Sequence, residues 1–382
     1  MTNYNMTIMR RYLILFLTVA LGAATLVAQD HKTLREWGFP TGIFETGRYN
    51  AITDVPGVTV GHVTLIEGDS VRTGVTAIVP HQGDIFRQKV PAAIHVGNGF
   101  GKLAGVTQVR ELGNIETPVV LTNTLNVAAG MEGVIRYTLM QPGHERENSV
   151  NAVVGETNDG RLNDTRGMHV TPEMVIEAIN KAHGGLVEQG CVGAGTGTIC
   201  FGFKGGIGTS SRVLPASLGG YTIGVLVQTN YGGILEIDGV QVGQRLQKHD
   251  FIDHVRKTEN VDGSCMMVVI TDAPLDSRNL ERVAKRAMMG MAKTGGIASN
   301  GSGDYVIAMS VAPENLIDSR AKTITSTVLA NGEMSSIFAA TIEATAEALW
   351  NSLFMADSMT GKGGYHVDAL PVEQVLEMLR NR

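Results

Sequence analysis

Cysteine is scarce in this chain. Only Cys191, Cys200 and Cys265 occur in 382 residues, and no CxxC pair is present. An odd number at such spacings builds neither a disulfide framework nor a cysteine zinc site. As small side chains, all three are expected in the interior. Charge is sparse as well: 18% of residues are charged, and the formal net charge is -6. No Lys/Arg cluster persists beyond the N-terminus, which argues against a nucleic-acid partner. Ten histidines are present, yet neither HExxH nor GxSxG appears. An SxxK at 319–322 and a KTG at 293–295 stand in the wrong order for a penicillin-binding protein. They also lack an SDN, so both read as chance. No metal or cofactor is expected, and a hydrolase built from this sequence needs a base other than histidine.

Hydrophobic residues make up 43% of the chain, and the 47 glycines fall in short clusters without a period. This composition fits neither a disordered chain nor a membrane bundle. Clustered glycines suit tight turns and close backbone contacts around a site. No linker divides the chain, so a single large α/β body is expected. At the N-terminus, Arg10-Arg11 precede the apolar run 12–19 and mostly small or apolar residues to Ala28. That is the pattern of a secretory signal peptide over residues 1–28, cleaved after Ala24 or Ala28, with residues 29–382 as the mature domain. An uncleaved N-terminal anchor is the rival reading. The expected location is periplasmic or secreted.

Strands are expected in 50–66, 73–80, 92–95, 119–125, 221–229, 266–271 and 305–311. Helices are expected in 131–140, 171–183, 278–293, 334–355 and 371–379. The stretch HVGNGFGKLAG, 95–105, lacks the P-loop spacing and reads as a strand-to-helix turn containing Asn98 and Lys102. In VVGETNDGRLND, 153–164, a strand ends at Val154 and the carboxylate of Glu156 follows it. The stretch reads as a polar turn, or as a place where Glu156 receives a substrate ammonium group; the EF-hand spacing is absent. GAGTG at 193–197 lacks the third glycine and following helix of a dinucleotide site. Lys204 reads as a surface-turn lysine or a site lysine. Asn230 closes the strand 221–229.

The run 266–271, MMVVIT, reads as a strand buried on both faces, with Gly263-Ser264 at its mouth after the polar TENVD. Two readings stand. One is a glycine-serine turn before a strand. The other is a bond that the Ser264 hydroxyl attacks, with no side chain on Gly263 in the way. Cleavage then frees an α-amine with a pKa of about 7.7–8.0 beside its own hydroxyl. Further on, Ser302 and Asp304 stand two residues apart at a strand entry, on one face.

Several long runs, in order, carry a resemblance: VGNGFGKLAG, VVGETNDGRLND, GAGTGTICFGFKGGIGTSSR, VLVQTN, DGSCMMVVITDAPL and NGSGD. From about Ile43 onward the chain resembles the family of L-aminopeptidase/D-esterase–amidases and β-peptidyl aminopeptidases. The resemblance implies an αββα sandwich, similar to N-terminal-nucleophile hydrolases but with different connectivity. It implies self-cleavage between Gly263 and Ser264 into a large chain, 29–263, and a small chain, 264–382, that stay associated. Ser264 becomes the N-terminal nucleophile, and Ser302 matches the second serine of the family site. Asp304 stands where β-peptidyl relatives carry glutamate, a shorter arm. Glu156 matches the carboxylate that holds the substrate's free amine, and Asn230 the amide that supports the oxyanion. Some members use a tyrosine in the GETNDG run; none stands there here, and Arg161 is the nearest counterpart. The expected partners are small peptide or aminoacyl amide substrates and further copies of the chain, in a homo-oligomer such as a tetramer. Two rival functions are an acyltransferase of the ornithine acetyltransferase type, which uses threonine as nucleophile, and a non-enzymatic exported binding protein in which the bond stays intact.

Overall fold

Alternating and fully apolar runs of β-branched residues build two stacked sheets. The computed structural model describes residues 31–252 and 263–382. The proposed export signal, 1–28, and the polar TENVD, 258–262, lie outside the described residues. One sheet is five-stranded. It runs, in spatial order, Thr59–Glu67, Val71–Val79, Val119–Asn123, Val153–Thr157 and Leu103–Ala104. The other is seven-stranded, with the path Ile207–Val213, Thr222–Asn230, Ser264–Thr271, Gly303–Ser310, Gln88–Gly99 and Ile317–Asp318. Asn114–Ile115 adds to the Gln88–Gly99 strand off this path.

Helices cover the outer faces. Met334–Phe354 and Ser277–Lys293 pack on each other and on the seven-stranded sheet. Val127–Leu139 and Pro172–Asn180 pack on each other and on the five-stranded sheet. The result is the expected αββα sandwich. Thr171 caps its helix by accepting from Met174 N, and Asp276 caps the Ser277–Lys293 helix by accepting from Asn279 N at 2.9 Å.

The strand Ser264–Thr271 shows why its sequence is apolar throughout. Met266, Val268 and Ile270 enter the core between the sheets, while Cys265, Met267 and Val269 enter the core under the helices. Side chains alternate across a strand, so burial on both faces removes the polar half of the usual pattern. Each such side chain contributes about 1.5–3 kcal/mol by leaving water. At Gly208 the sheet meets the Met334–Phe354 helix so closely that a Cβ would lie 1.9 Å from Ala348 O.

A buried ionic cluster fastens the N-terminal arm of the described chain. Arg212 is fully buried and reaches Glu347 at 2.6 Å and Glu343 at 3.2 Å. Glu347 also accepts from Arg35, Thr41 and Asn50.

Several sequence expectations need correction. Cys200 and Cys265 are buried, but Cys191 is partly exposed, with Sγ 3.4 Å from Asp357 O. Lys204 is not a surface turn. It is fully buried, with Nζ donating to the carbonyls of Gly195 and Gly205 at 3.0 and 2.6 Å. Lys204 belongs to a small hairpin of Ile199–Cys200 and Phe203–Lys204. The stretch 95–105 is mostly strand, because Gln88–Gly99 runs through Asn98.

Candidate active site

Strand register brings residues far apart in sequence into one row. Asn230 pairs with Ser264 across an antiparallel ladder, Ser264 with Gly303 across a parallel one, and Gly303 with Gly99 across the next. Opposite this row, the five-stranded sheet ends at Asn123 and at Thr157, beside Glu156. Between them lies a cavity of 740 Å³ whose lining includes Lys102, Glu156, Asn158, Arg161, Asn230 and Ser264. That volume suits a small organic ligand.

Ser264 opens its strand and is 5% exposed. Its hydroxyl donates to the carbonyl of Gly263 at 2.7 Å. The same oxygen accepts the backbone N–H of Gly303 at 3.1 Å. A carbonyl with two donors is polarised at its carbon, and the Ser264 hydroxyl lies beside it. Position 263 also demands glycine for space, since a Cβ there would lie 2.6 Å from Tyr231 Cα.

Asn230 ends the strand Thr222–Asn230, and its Oδ1 accepts from Ile199 N at 3.0 Å. That bond fixes which way the amide faces and leaves Nδ2 free to donate toward the cavity. Glu156 lies inside the strand Val153–Thr157 rather than after its end, a correction to the sequence reading. It is 2% exposed. Its Oε1 accepts from Lys102 N at 3.0 Å and lies 3.5 Å from Lys102 Nζ, while Oε2 is buried without a partner. A partnerless carboxylate oxygen on a residue that lines a polar cavity can receive an ammonium group.

Ser302 and Asp304 form a pair of their own. The Ser302 hydroxyl donates to Asp304 Oδ1 at 2.8 Å. Both are buried, Asp304 fully, and its Oδ2 has no partner. Burial pushes the Asp304 carboxyl up to about 6, against the Ser302 hydrogen bond and a backbone bond from Cys265. Neither residue is part of the cavity lining, whereas Asn230, Ser264 and Glu156 are. The pair adjoins Ser264 through the ladder partners Ser264–Gly303 and Cys265–Asp304.

Of the supporting residues, the sequence reading named Asn98 and missed Gly303. Asn98 donates to the carbonyls of Ser299 and Asn300 at 3.0 and 3.2 Å, and also to that of Ser302, bracing the loop that carries Ser302. Gly303 acts through its backbone, which no residue type announces. The polar turn after Glu156 is not a cation cluster. Asp159 is buried and bonded to Asn163 at 3.0 Å, burial pushes its carboxyl to about 7, and Asp164 faces His169 at 3.1 Å.

The profile of Peptidase family S58 matches residues 50–367. The β-peptidyl aminopeptidase BapA of Sphingosinicella microcystinivorans is 39% identical over 356 residues, 87% of this chain and 88% of that one. A Burkholderia sp. β-aminopeptidase superposes with a TM-score of 0.84 at 38% identity, covering 92% of this chain and 99% of the other. The L-aminopeptidase D-Ala-esterase/amidase of Ochrobactrum anthropi superposes with a TM-score of 0.83 at 35% identity, covering 91% and 98%. It is described as a prototype of the serine aminopeptidases and a variant of the Ntn hydrolase fold.

Proposed function

The chain belongs to peptidase family S58 and is an aminopeptidase, and from that premise we propose that it is exported, cuts itself at Gly263-Ser264 and uses the freed serine as nucleophile. The observation that carries this reading is the Gly263 carbonyl held between the Ser264 hydroxyl at 2.7 Å and the Gly303 N–H at 3.1 Å. In the first step Oγ bonds to the Gly263 carbonyl carbon and the Gly263 C–N bond breaks. The hydroxyl proton passes to the departing nitrogen, leaving an ester. Water then hydrolyses the ester to a Gly263 carboxylate and a Ser264 bearing both its hydroxyl and a free α-amine.

The two chains stay together, because the Ser264–Thr271 strand of the small chain is laddered to Thr222–Asn230 of the large one. In turnover Ser264 Oγ attacks the substrate carbonyl. Its own amine, or Ser302 backed by Asp304, takes the proton. Asn230 Nδ2 receives the developing oxyanion, and Glu156 Oε2 holds the substrate ammonium. Cleavage is thereby confined to the N-terminal residue of small peptides, amides or esters. Export follows from residues 1–28, and the working form is a homo-oligomer.

The test uses an aminoacyl p-nitroanilide and its N-acetylated form. The free amine compound is hydrolysed and the acetylated one is not. Equal rates on both overturn the role of Glu156. Fractionation of the native host tests export, where a mature protein confined to the cytoplasm with Met1 retained contradicts it. Gel filtration reads the oligomer.

A further inference from the structure

Among the described residues, three charged ones line the cavity: Lys102, Glu156 and Arg161. Lys102 is committed to Glu156 through both its backbone N–H and its ammonium group. The Arg161 guanidinium makes no hydrogen bond or ion pair with any described residue. Its backbone is nevertheless braced. Leu162 N and Asn163 N donate to Asp159 O at 3.1 and 3.0 Å, and Gly160 N donates to Asn158 Oδ1 at 3.0 Å. Leu162, the next residue, is fully buried. An exposed guanidinium with no partner among the described residues thus stands on a fixed turn, at the wall of a cavity whose described charged side chains sum to one positive.

A ligand that places its ammonium on Glu156 and a carboxylate elsewhere in the cavity complements that balance. Guanidinium binds carboxylate through two parallel hydrogen bonds, a geometry an ammonium lacks. We propose that Arg161 binds the C-terminal carboxylate of the residue on the leaving side, which makes short peptides with a free C-terminus, dipeptides first, the preferred substrates. An extended dipeptide spans about 7 Å at about 3.3–3.6 Å per residue, and the cavity of 740 Å³ has the volume of a small-ligand site. This inference rests on Glu156 as the amine anchor. It assigns Arg161 to substrate selection and not to the oxyanion.

The experiment compares L-alanyl-L-alanine with L-alanyl-L-alanine amide, and each with its N-acetylated form, using the purified wild type, Arg161→Gln and Arg161→Lys. Wild type is expected to favour the carboxylate over the carboxamide by about ten- to a hundredfold in kcat/KM, mostly through KM. Arg161→Gln brings that ratio close to one, and Arg161→Lys restores part of it. A wild type that rejects N-acetylated substrates but treats carboxylate and carboxamide alike overturns the Arg161 assignment and leaves the Glu156 reading standing. A wild type that favours the carboxylate but accepts N-acetylated substrates supports Arg161 and removes Glu156 as anchor. If Arg161→Gln lowers kcat on both peptides and keeps their ratio, Arg161 serves the oxyanion and the assignment is wrong.

Discussion

Glu347 and Asp304 are both fully buried carboxylates, held in opposite ways in two regions of the fold. Burial alone would push Glu347 up, yet hydrogen bonds from Arg35 and the charge of Arg212 hold it below the usual range. Thr41 and Asn50 complete its shell at 2.9 and 2.6 Å. Among the described residues Asp304 has no cation beside it, one oxygen carries a serine hydroxyl, the other has no partner, and burial pushes its carboxyl up to about 6. The first arrangement fixes a charge to hold an arm on a body. The second leaves a carboxylate able to exchange a proton near neutral pH, which suits the proton-transfer role proposed for the Ser302–Asp304 pair. Glu156 lies between them, with one oxygen engaged by Lys102 and the other buried without a partner.

Breaking the structural cluster is expected to have the largest effect on stability. Arg212→Ala strips a buried carboxylate of one of its two cations and costs about 3–5 kcal/mol, read from the urea midpoint. An unchanged midpoint would show that Arg35 suffices. At the site, Asn230→Ala lowers kcat by about a hundred- to a thousandfold while the fold is kept. A loss confined to KM would place Asn230 in binding instead. Glu156→Gln lowers kcat/KM for free-amine substrates by about ten- to a hundredfold, and self-cleavage proceeds. Unchanged kcat/KM on aminoacyl p-nitroanilides removes Glu156 as the anchor.

The smallest effect is in pH dependence, and it separates the two carboxylates by sign. Asp304 has a folded value raised above the unfolded one, so its contribution to stability is present at low pH. It is lost as pH rises from about 4 to about 6. Glu347 has a lowered folded value, so its contribution is present above the unfolded value and lost as pH falls through the folded one. In the Ser264→Ala chain, adding Asp304→Asn should flatten the decline between about pH 4 and 6. Adding Glu347→Gln should leave that decline in place. The wild-type rate should rise through about pH 6 as Asp304 loses its proton, and a rate governed only near pH 8 would assign the base role to the α-amine of Ser264.

Much of the fold was legible because apolar runs such as 266–271 and capped amphipathic helices such as Ser277–Lys293 carry their own periodicity. Asn230 and Ser264 were legible because polar residues at the ends of buried strands stand out. Other features depended on register across long sequence separations. The parallel pairing of Ser264 with Gly303 aims a backbone N–H at Gly263, and local sequence does not encode that partner. Lys204 read as a surface lysine because its acceptors are backbone carbonyls, which have no signature in sequence. Glu156 sits inside the strand, which runs to Thr157 where the sequence reading ended it at Val154, because Val153–Thr157 is buried throughout and its polar GET segment remains strand.

The most direct measurement is the intact mass of the purified protein beside that of Ser264→Ala, with N-terminal sequencing of any small fragment. Self-cleavage predicts two wild-type chains, the smaller beginning at Ser264, and a single uncut Ser264→Ala chain without aminopeptidase activity. An active wild type that remains one chain, or a Ser264→Ala chain cut at the same bond, would contradict it.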